Sequence, residues 1–145
     1  MQIEIKAITP AERADVIEMM RVFYASDAVF TNGSDDIFES DVDACLSGSP
    51  YLRGYCFFAD GVLAGYAMTA HSFSTEFGKP CVWIEDIYVK APYRRLGIGK
   101  QFFDLLDSLY PDCVLRLEAE EENASAVALY KSRGFEVLPY LELKK

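Results

Sequence analysis

Two adjacent carboxylates, Glu85 and Asp86, lie within the apolar run Cys81–Val89. The run is apolar on both faces, which predicts a central strand. A carboxylate in such a strand is costly unless it is paired or used in chemistry. Burial would raise its pKa toward neutrality, which suits a general base. Glu85 is therefore a candidate base; the alternative is a structural carboxylate that caps loop N–H groups or pairs with an arginine.

Regular strand alternation would place the two carboxylates on opposite faces of the sheet. We interpret Asp86 as structural. Each carboxylate is then expected to share its face with apolar neighbours: Trp83, Ile87 and Val89 for Glu85, and Val82, Ile84 and Tyr88 for Asp86.

A glycine-containing turn joins this strand to the next predicted helix. Gly97 and Gly99 allow the backbone to approach a ligand, and free N–H groups at a helix N-terminus favour an anion such as phosphate. Arg94 and Lys100 add positive charge. A dinucleotide fingerprint would need a third glycine where Phe102 stands, and a Walker loop does not match either. The alternative is a turn that needs glycine for its backbone shape alone.

Asn123 and Tyr130 are seven residues apart on a predicted helix that Asn123 caps and Gly134 follows. At 3.6 residues per turn they share one helix face, about 10 Å apart along the axis. Such a face can line an extended ligand, with an amide at one end and a phenol at the other. The structural alternatives are capping for Asn123 and core packing for Tyr130.

Two motifs carry a resemblance to a known family. Arg94-Arg-Leu-Gly97-Ile-Gly99 is similar to Q/R-x-x-G-x-G/A, and Asn123-Ala-Ser-Ala-Val-Ala-Leu129-Tyr130-Lys-Ser-Arg-Gly134-Phe135 is similar to N-x-x-A-x-x-L-Y-x-x-x-G-F. The chain from Cys81 to Phe135 thereby resembles the GNAT N-acetyltransferases. Within them, Ser74–Pro80 and Ile84–Val89 look most like the diamine (spermidine/spermine-type) acetyltransferase branch. Arg95, where that branch usually has glycine, and Glu120–Glu122, where an aromatic residue is common, depart from its pattern.

The resemblance implies direct transfer of an acetyl group from acetyl-CoA to a primary amine, without a metal. Glu85 is then the base or an amine contact, and Tyr130 is the acid that protonates the departing thiolate. Backbone groups of Ile87–Val89 would pair with the pantetheine arm, and N–H groups of Arg95–Lys100 would hold the pyrophosphate. The implied acetyl-CoA-binding residues are Ile87, Tyr88, Val89, Arg94, Arg95, Leu96, Gly97, Ile98, Gly99, Lys100, Asn123, Ser125, Ala126 and Tyr130.

The order of predicted elements is that of one α/β domain over residues 1–145. The strands are expected at Ile3–Ile8, Tyr51–Ala59, Val62–Thr69, Cys81–Val89, Cys113–Leu117, Phe135–Leu138 and Tyr140–Leu143, with four helices among them. The resemblance implies the GNAT acyl-CoA N-acyltransferase fold. In that fold a mixed central β-sheet has helices on both faces and a splay between the fourth and fifth strands.

The net charge of −9 argues against nucleic-acid and anionic-membrane partners and favours a cationic ligand. Four widely spaced cysteines and a single histidine make a metal site improbable and predict reduced thiols. With neither a signal peptide nor an 18-residue apolar run, we expect a cytoplasmic protein. A homodimer is expected from the family resemblance alone.

Two acidic groups and the histidine leave alternatives open. Glu118 and Glu120–Glu122 follow a predicted strand, and they are either an attraction for a polyamine or a solvated loop. The acidic residues of 35–43 are either a second such group or the exposed face of a helix. His71 is a weaker candidate base than Glu85. The competing functions are a protein N-terminal or lysine acetyltransferase and a non-catalytic acyl-CoA sensor.

Overall fold

The computed structural model describes all 145 residues. Five strands form one sheet in the order β1-β2-β3-β4-β5, antiparallel except for the parallel pair β4 and β5. The strands are β1 (Ile3–Ala7), β2 (Leu52–Ala59), β3 (Val62–Ser74), β4 (Lys79–Val89) and β5 (Val114–Leu117), and the helices are α1 (Arg13–Tyr24), α2 (Asp35–Leu46), α3 (Ile98–Leu109) and α4 (Ala124–Ser132).

Residues before the first turn mark the starts of three of the four helices. Thr9 and Glu12 form a capping box at a single 3-10 turn that leads into α1. The Ser34 hydroxyl accepts a hydrogen bond from the Ile37 N–H and caps α2. Gly97 precedes α3 in the left-handed region, with φ of 85°. In these three helices the start is marked by residues within one turn of it.

The helices cover both faces of the sheet, so the predicted fold class is confirmed. Helices α1 and α2 pack on one face, called here the α1/α2 face, around Val16, Met20, Phe38, Val42 and Tyr66. Helix α3 packs on the other, the α3/α4 face, around Phe57, Ile98, Phe102, Phe103 and Leu106, with Leu129 and Tyr130 of α4 beside it. Each face has its own apolar core, which encloses the sheet.

The parallel pairing of β4 with β5 ends early. It runs from the Cys81–Val114 pair to the Ile84–Leu117 pair, whereas β4 itself continues to Val89. On its β5 side, the backbone of residues 85–89 therefore has no partner strand. The predicted splay between the fourth and fifth strands is this opening.

Strand β4 contains a β-bulge that the sequence does not predict. Ile84 pairs with Thr69 and Asp86 pairs with Met68, which leaves Glu85 as an extra residue with no partner on β3. An extra residue of this kind breaks the ladder locally and re-aims the neighbouring side chains. The bulge therefore lies at the candidate base.

The predicted alternation along β4 is wrong across this bulge. Ile84 packs on the α3/α4 face together with Ile87 and Val89, whereas Asp86 bonds to tyrosines of the α1/α2 face. Asp86 thus does not share a face with Ile84. One inserted residue shifts the two-residue period, which no local sequence pattern reveals.

The two predicted C-terminal strands are also wrong, since residues 135–145 form no regular element. Val137, Leu141 and Leu143 are about four-fifths exposed. Their alternating pattern has strand propensity, but propensity alone does not form a ladder without a partner edge. Strands β3 and β4 are longer than predicted: β3 continues past Thr69 to Ser74, and β4 begins at Lys79 rather than Cys81.

Candidate active site

The turn between β4 and α3 presents a run of unused backbone donors. None of the six N–H groups from Arg95 to Lys100 donates a hydrogen bond within the chain; the first such donor is Gln101, to the Gly97 carbonyl. Arg95 and Gly97 have positive φ values of 63° and 85°. Successive N–H groups in such conformations form an anion-binding concavity at the positive end of a helix.

The side chains of this turn contribute unequally. Leu96 and Lys100 are exposed, whereas the Ile98 side chain is buried, so Ile98 offers a ligand only its backbone. A Cβ on Gly99 would lie 3.5 Å from Leu129 of α4, an ordinary contact. Gly99 therefore sits where α3 and α4 meet, and Gly97 supplies the backbone conformation.

Arg94 is directed back onto the sheet. Its Nε donates to the Val89 carbonyl at 2.8 Å, and its guanidinium lies 5.8 Å from the centre of the Tyr88 ring. The same carbonyl belongs to the open segment of β4 that the resemblance assigns to the pantetheine arm. Arg94 thus holds the end of β4 and contributes charge beside the turn.

Tyr130 lies on α4 beside the open part of β4. Its ring makes edge contacts with Phe103 and Phe135, at 5.8 Å and 6.2 Å between ring centres, and packs in the same cluster as Ile87 and Val89. Burial raises the pKa of its phenol. The hydroxyl makes no hydrogen bond within the chain and is not sealed from solvent. The Tyr130 hydroxyl is therefore a free hydrogen-bond donor whose position is set by the packing of the ring.

The start of α4 has a polar side chain without a partner in the chain. Asn123 occupies the predicted N-cap position, but its side chain makes no capping hydrogen bond and is free for another partner. Ser125 is exposed and Ala126 is half-buried. Asn123 precedes α4 and Tyr130 lies within it, and their common face remains a prediction.

Glu85, at the bulge, begins the part of β4 that β5 does not cover. Its side chain is accessible, and partial desolvation raises its pKa, with further increases from the charges of Asp41 and Glu142. A carboxyl whose pKa lies above the usual range is better suited to take a proton near neutral pH.

Three further carboxylates from separate elements interact electrostatically with Glu85: Asp41 of α2, Glu118 after β5 and Glu142 of the C-terminal segment. Desolvation raises the pKa of Glu118, as do the charges of Glu142 and Glu85. Desolvation also raises the pKa of Asp41. The sequence left Asp41 open, as part of the acidic group at 35–43, and it missed Glu142, which lies in a predicted strand. The cluster is a negative region beside the opening of the sheet.

Two other carboxylates of the helix α2 acidic group have another role. Arg21 pairs with Asp35, and Arg13 pairs with Asp43, through exposed ion pairs. Asp41 has neither partner. The group is therefore split between an exposed face and one carboxylate turned toward the site.

Asp86 is the buried carboxylate of this region, with 3% of its surface exposed. It accepts hydrogen bonds of 2.8 Å from the hydroxyls of Tyr24 and Tyr66. Burial raises its pKa to about 6; the two tyrosine bonds oppose the shift, and the charges of Asp41 and Glu85 add to it. Sequence patterns give no signal for the two tyrosines.

His71 lies apart from these groups. Its Nε2 is 2.9 Å from the Thr69 hydroxyl, and its ring is 5.4 Å from that of Tyr110 at the end of α3. Burial lowers its pKa, with a smaller contribution from Arg53. These contacts describe a packed structural histidine. No group of three or more His, Cys, Asp or Glu side chains is arranged to hold a metal ion, and none of the helices combines the length and apolarity needed to cross a membrane.

The chain matches a known protein family over most of its length. Residues 17–135 match the model of the Acetyltransferase (GNAT) family. The match covers most of the chain, including the turn at Arg95–Lys100 and Tyr130. The chain belongs to the GNAT acetyltransferase family, which confirms the resemblance found in the sequence.

Two curated relatives are similar in sequence. Thialysine N-epsilon-acetyltransferase of Bos taurus is 35% identical over 83 residues, 55% of this chain and 48% of that protein. The Sus scrofa protein of the same name is 30% identical over 105 residues, 70% of this chain and 58% of that protein. The matched region spans about half the length of these relatives.

Solved structures share the fold across the whole chain. The aminoglycoside N-acetyltransferase AAC(6')-Iy, in complex with a bisubstrate analogue of CoA, superposes with a TM-score of 0.81 at 18% identity, covering 100% of this chain and 98% of that one. A possible acetyltransferase from Clostridium difficile 630 gives 0.82 at 19% identity, covering 100% and 97%. At these identities the likeness establishes the fold.

Proposed function

We propose that this chain is an acetyl-CoA-dependent N-acetyltransferase that acts on a small primary amine. The observation that carries the proposal is the row of six unused N–H groups at Arg95–Lys100, beside the open backbone of residues 85–89. The first suits a pyrophosphate and the second suits an extended amide-containing arm. A phosphate-bearing chain of amides is the chemistry of acetyl-CoA, and AAC(6')-Iy, which shares the fold, is solved with CoA.

The acetyl-CoA-binding residues in this proposal are those implied by the sequence. Arg95–Lys100 supply N–H donors, Ile87–Val89 supply strand backbone, and α4 supplies Asn123, Ser125 and Ala126. Arg94 and Lys100 offset the phosphate charge in a chain that is otherwise acidic. No metal is needed for this binding.

The reaction is direct acetyl transfer between the two substrates. The ammonium loses a proton to Glu85, directly or through water, and its nitrogen attacks the thioester carbonyl. The carbon–sulfur bond breaks as the new amide forms, and Tyr130 donates its proton to the leaving thiolate. The second proton of the attacking nitrogen passes to solvent, from which Tyr130 is reprotonated. The free hydroxyl of Tyr130 and the raised pKa of Glu85 support these roles.

The amine is proposed to be polyamine-like or amino-acid-like. Asp41, Glu85, Glu118 and Glu142 make the region beside the opening negative, which favours a substrate with more than one positive charge. The two curated relatives are named for thialysine, an amino acid with a side-chain amine. Thialysine is therefore the first amine to test.

The test is release of the CoA thiol, followed with a thiol reagent, across thialysine, lysine, spermidine, short diamines and N-terminal peptides. Tyr130→Phe serves as the matched control because it keeps the ring packing. Turnover of one small-amine class, lost in the control, supports the proposal. Turnover of peptides alone would favour a protein acetyltransferase, and acetyl-CoA binding without any turnover would favour a sensor.

Assembly and location complete the proposal. We infer a homodimer, supported by the exposed apolar side chains Val137, Leu141 and Leu143, and a cytoplasmic location, supported by four free cysteines. Light scattering after gel filtration measures the first: a mass twice that of the 16.3 kDa chain is expected. A monomer at all concentrations would contradict it.

A further inference from the structure

Asp86 has no cationic partner although it is almost fully buried. A buried carboxylate without a counter-ion is expensive unless several hydrogen bonds satisfy it. Two hydroxyls do so here, one from α1 and one from β3. The carboxylate is also too enclosed to contact a substrate amine. Asp86 must therefore act by fixing the positions of the groups around it.

Tyr24 and Tyr66 connect α1, β3 and β4 at the bulge through their hydrogen bonds to Asp86. Tyr66 of β3 pairs with Tyr88 of β4, and its hydroxyl reaches diagonally to Asp86. Tyr24 reaches Asp86 from the last turn of α1. Tyr24 is further fixed by edge contact with Phe23 and by tilted packing on Phe38. The two hydroxyls that donate to Asp86 are therefore held in place, one residue along β4 from Glu85.

The register that β4 would have without the bulge shows which arrangement the contact of Asp86 with the two tyrosines favours. Without the bulge, continuing from the Ile84–Thr69 pair would set Glu85 opposite Met68 and Asp86 opposite Ala67. Met68 belongs to the core of the α1/α2 face and Ala67 to that of the α3/α4 face. Both carboxylates would then point into apolar cores, since a one-residue slip reverses every side chain.

We propose that Asp86 is a positioning residue: by accepting hydrogen bonds from Tyr24 and Tyr66, it locks the β4 bulge that turns Glu85 out toward the amine. The proposal rests on the proposed role of Glu85 in acetyl transfer. It assigns a function to a tyrosine pair that makes no contact with the reacting groups.

A double-mutant cycle tests the coupling, with the active amine of the panel as substrate. Asp86→Asn is expected to lower kcat by between about tenfold and a hundredfold, because a misplaced base loses most of its effect, with acetyl-CoA affinity unchanged. Added to Glu85→Gln, it should cause no further loss, since there is no base left to position. A purely structural Asp86 would give two losses that multiply, which would overturn the proposal.

Tyr66→Phe and Tyr55→Phe form the matched control pair. Both tyrosines are buried in the sheet, but the Tyr55 hydroxyl faces Tyr110 on the other side, at 3.4 Å. Tyr66→Phe should lower kcat and be non-additive with Glu85→Gln, whereas Tyr55→Phe should leave kcat unchanged. If Glu85→Gln itself has wild-type kcat, both the base and its positioning fail. If it is slow but the losses multiply, only the positioning fails.

Hydrogen exchange gives a readout that needs no substrate and no loss of folding. Tyr24→Phe removes one hydroxyl and leaves Tyr66 in place. Amides of residues 85–87 should exchange at least about tenfold faster in this variant, because local opening of the bulge becomes easier, and those of β2 should not change. Unchanged exchange at 85–87 in both Tyr24→Phe and Tyr66→Phe would overturn the proposal.

Discussion

The two sides of the opening in the sheet are built in different ways. The turn at Arg95–Lys100 is made of consecutive residues, and its donors are backbone groups whose direction depends on local dihedral angles. The acidic side collects Asp41, Glu85, Glu118 and Glu142 from four separate segments. A site made from backbone depends on one or two conformations, whereas a site made from dispersed side chains depends on the whole fold.

Tyr130→Phe should have the largest effect, because it removes the proposed general acid and keeps the ring packing. Loss of the general acid is expected to lower kcat about 100-fold or more, with the dissociation constant of acetyl-CoA unchanged. Steady-state kinetics and calorimetric titration measure the two quantities. Wild-type turnover in the variant would remove Tyr130 as the acid.

Asp86→Asn should change the pH dependence of stability on the acidic side. The pKa of Asp86 is raised by burial to about 6 in the folded chain, amid Tyr24, Tyr66, Asp41 and Glu85. Because the folded state binds this proton more tightly, the wild-type chain loses about 2–3 kcal/mol from this group as pH rises from about 4 to 6.

The asparagine variant has no such proton, so the difference in unfolding free energy between the two proteins should change by that amount across this range. Urea denaturation at a series of pH values measures it. A constant difference would show that Asp86 titrates as it does in the unfolded chain.

Glu85→Gln should reduce kcat/KM between about tenfold and a hundredfold near neutral pH. The wild-type rate should rise with pH as Glu85, with its raised pKa, loses its proton. This rise of the rate with pH should be absent in the variant. At alkaline pH, where the amine loses its proton without a base, the rates of the two proteins should approach each other. A loss that is the same at every pH would assign Glu85 to amine binding.

Gly97→Ala tests the backbone side and should have the smallest effect. A Cβ at φ of 85° costs about 1–2 kcal/mol, which should weaken acetyl-CoA binding by distorting the N–H row. Gly134→Ala is the matched control, because Gly134 has φ of 92° and equally free space, but lies after α4. Both variants should lose stability, and only Gly97→Ala should lose affinity. Equal affinities would separate this turn from phosphate binding.

The backbone side of the site was predictable because its information is local. The spacing of Gly97 and Gly99, the helix after them, and the seven-residue separation of Asn123 and Tyr130 all lie within short segments. Arg95 is instructive: it occupies the left-handed region, with φ of 63°, at the position where the resemblance calls for glycine. The sequence shows that Arg95 departs from the family pattern. The structure shows why glycine is usual at this position, since its φ is positive.

The acidic side was predictable only in part. The sequence by itself determined that a carboxylate lies on a central strand and which helices flank it, and it predicted which turn would bind an anion, because capping, periodicity and glycine act over a few residues. Only the tertiary structure decided the bulge at Glu85, the Tyr24–Asp86–Tyr66 contact and the approach of Glu142, and it left residues 135–145 outside the sheet. Strand register and long-range side-chain contacts are chosen by competition between whole packed arrangements, and no short segment contains that competition.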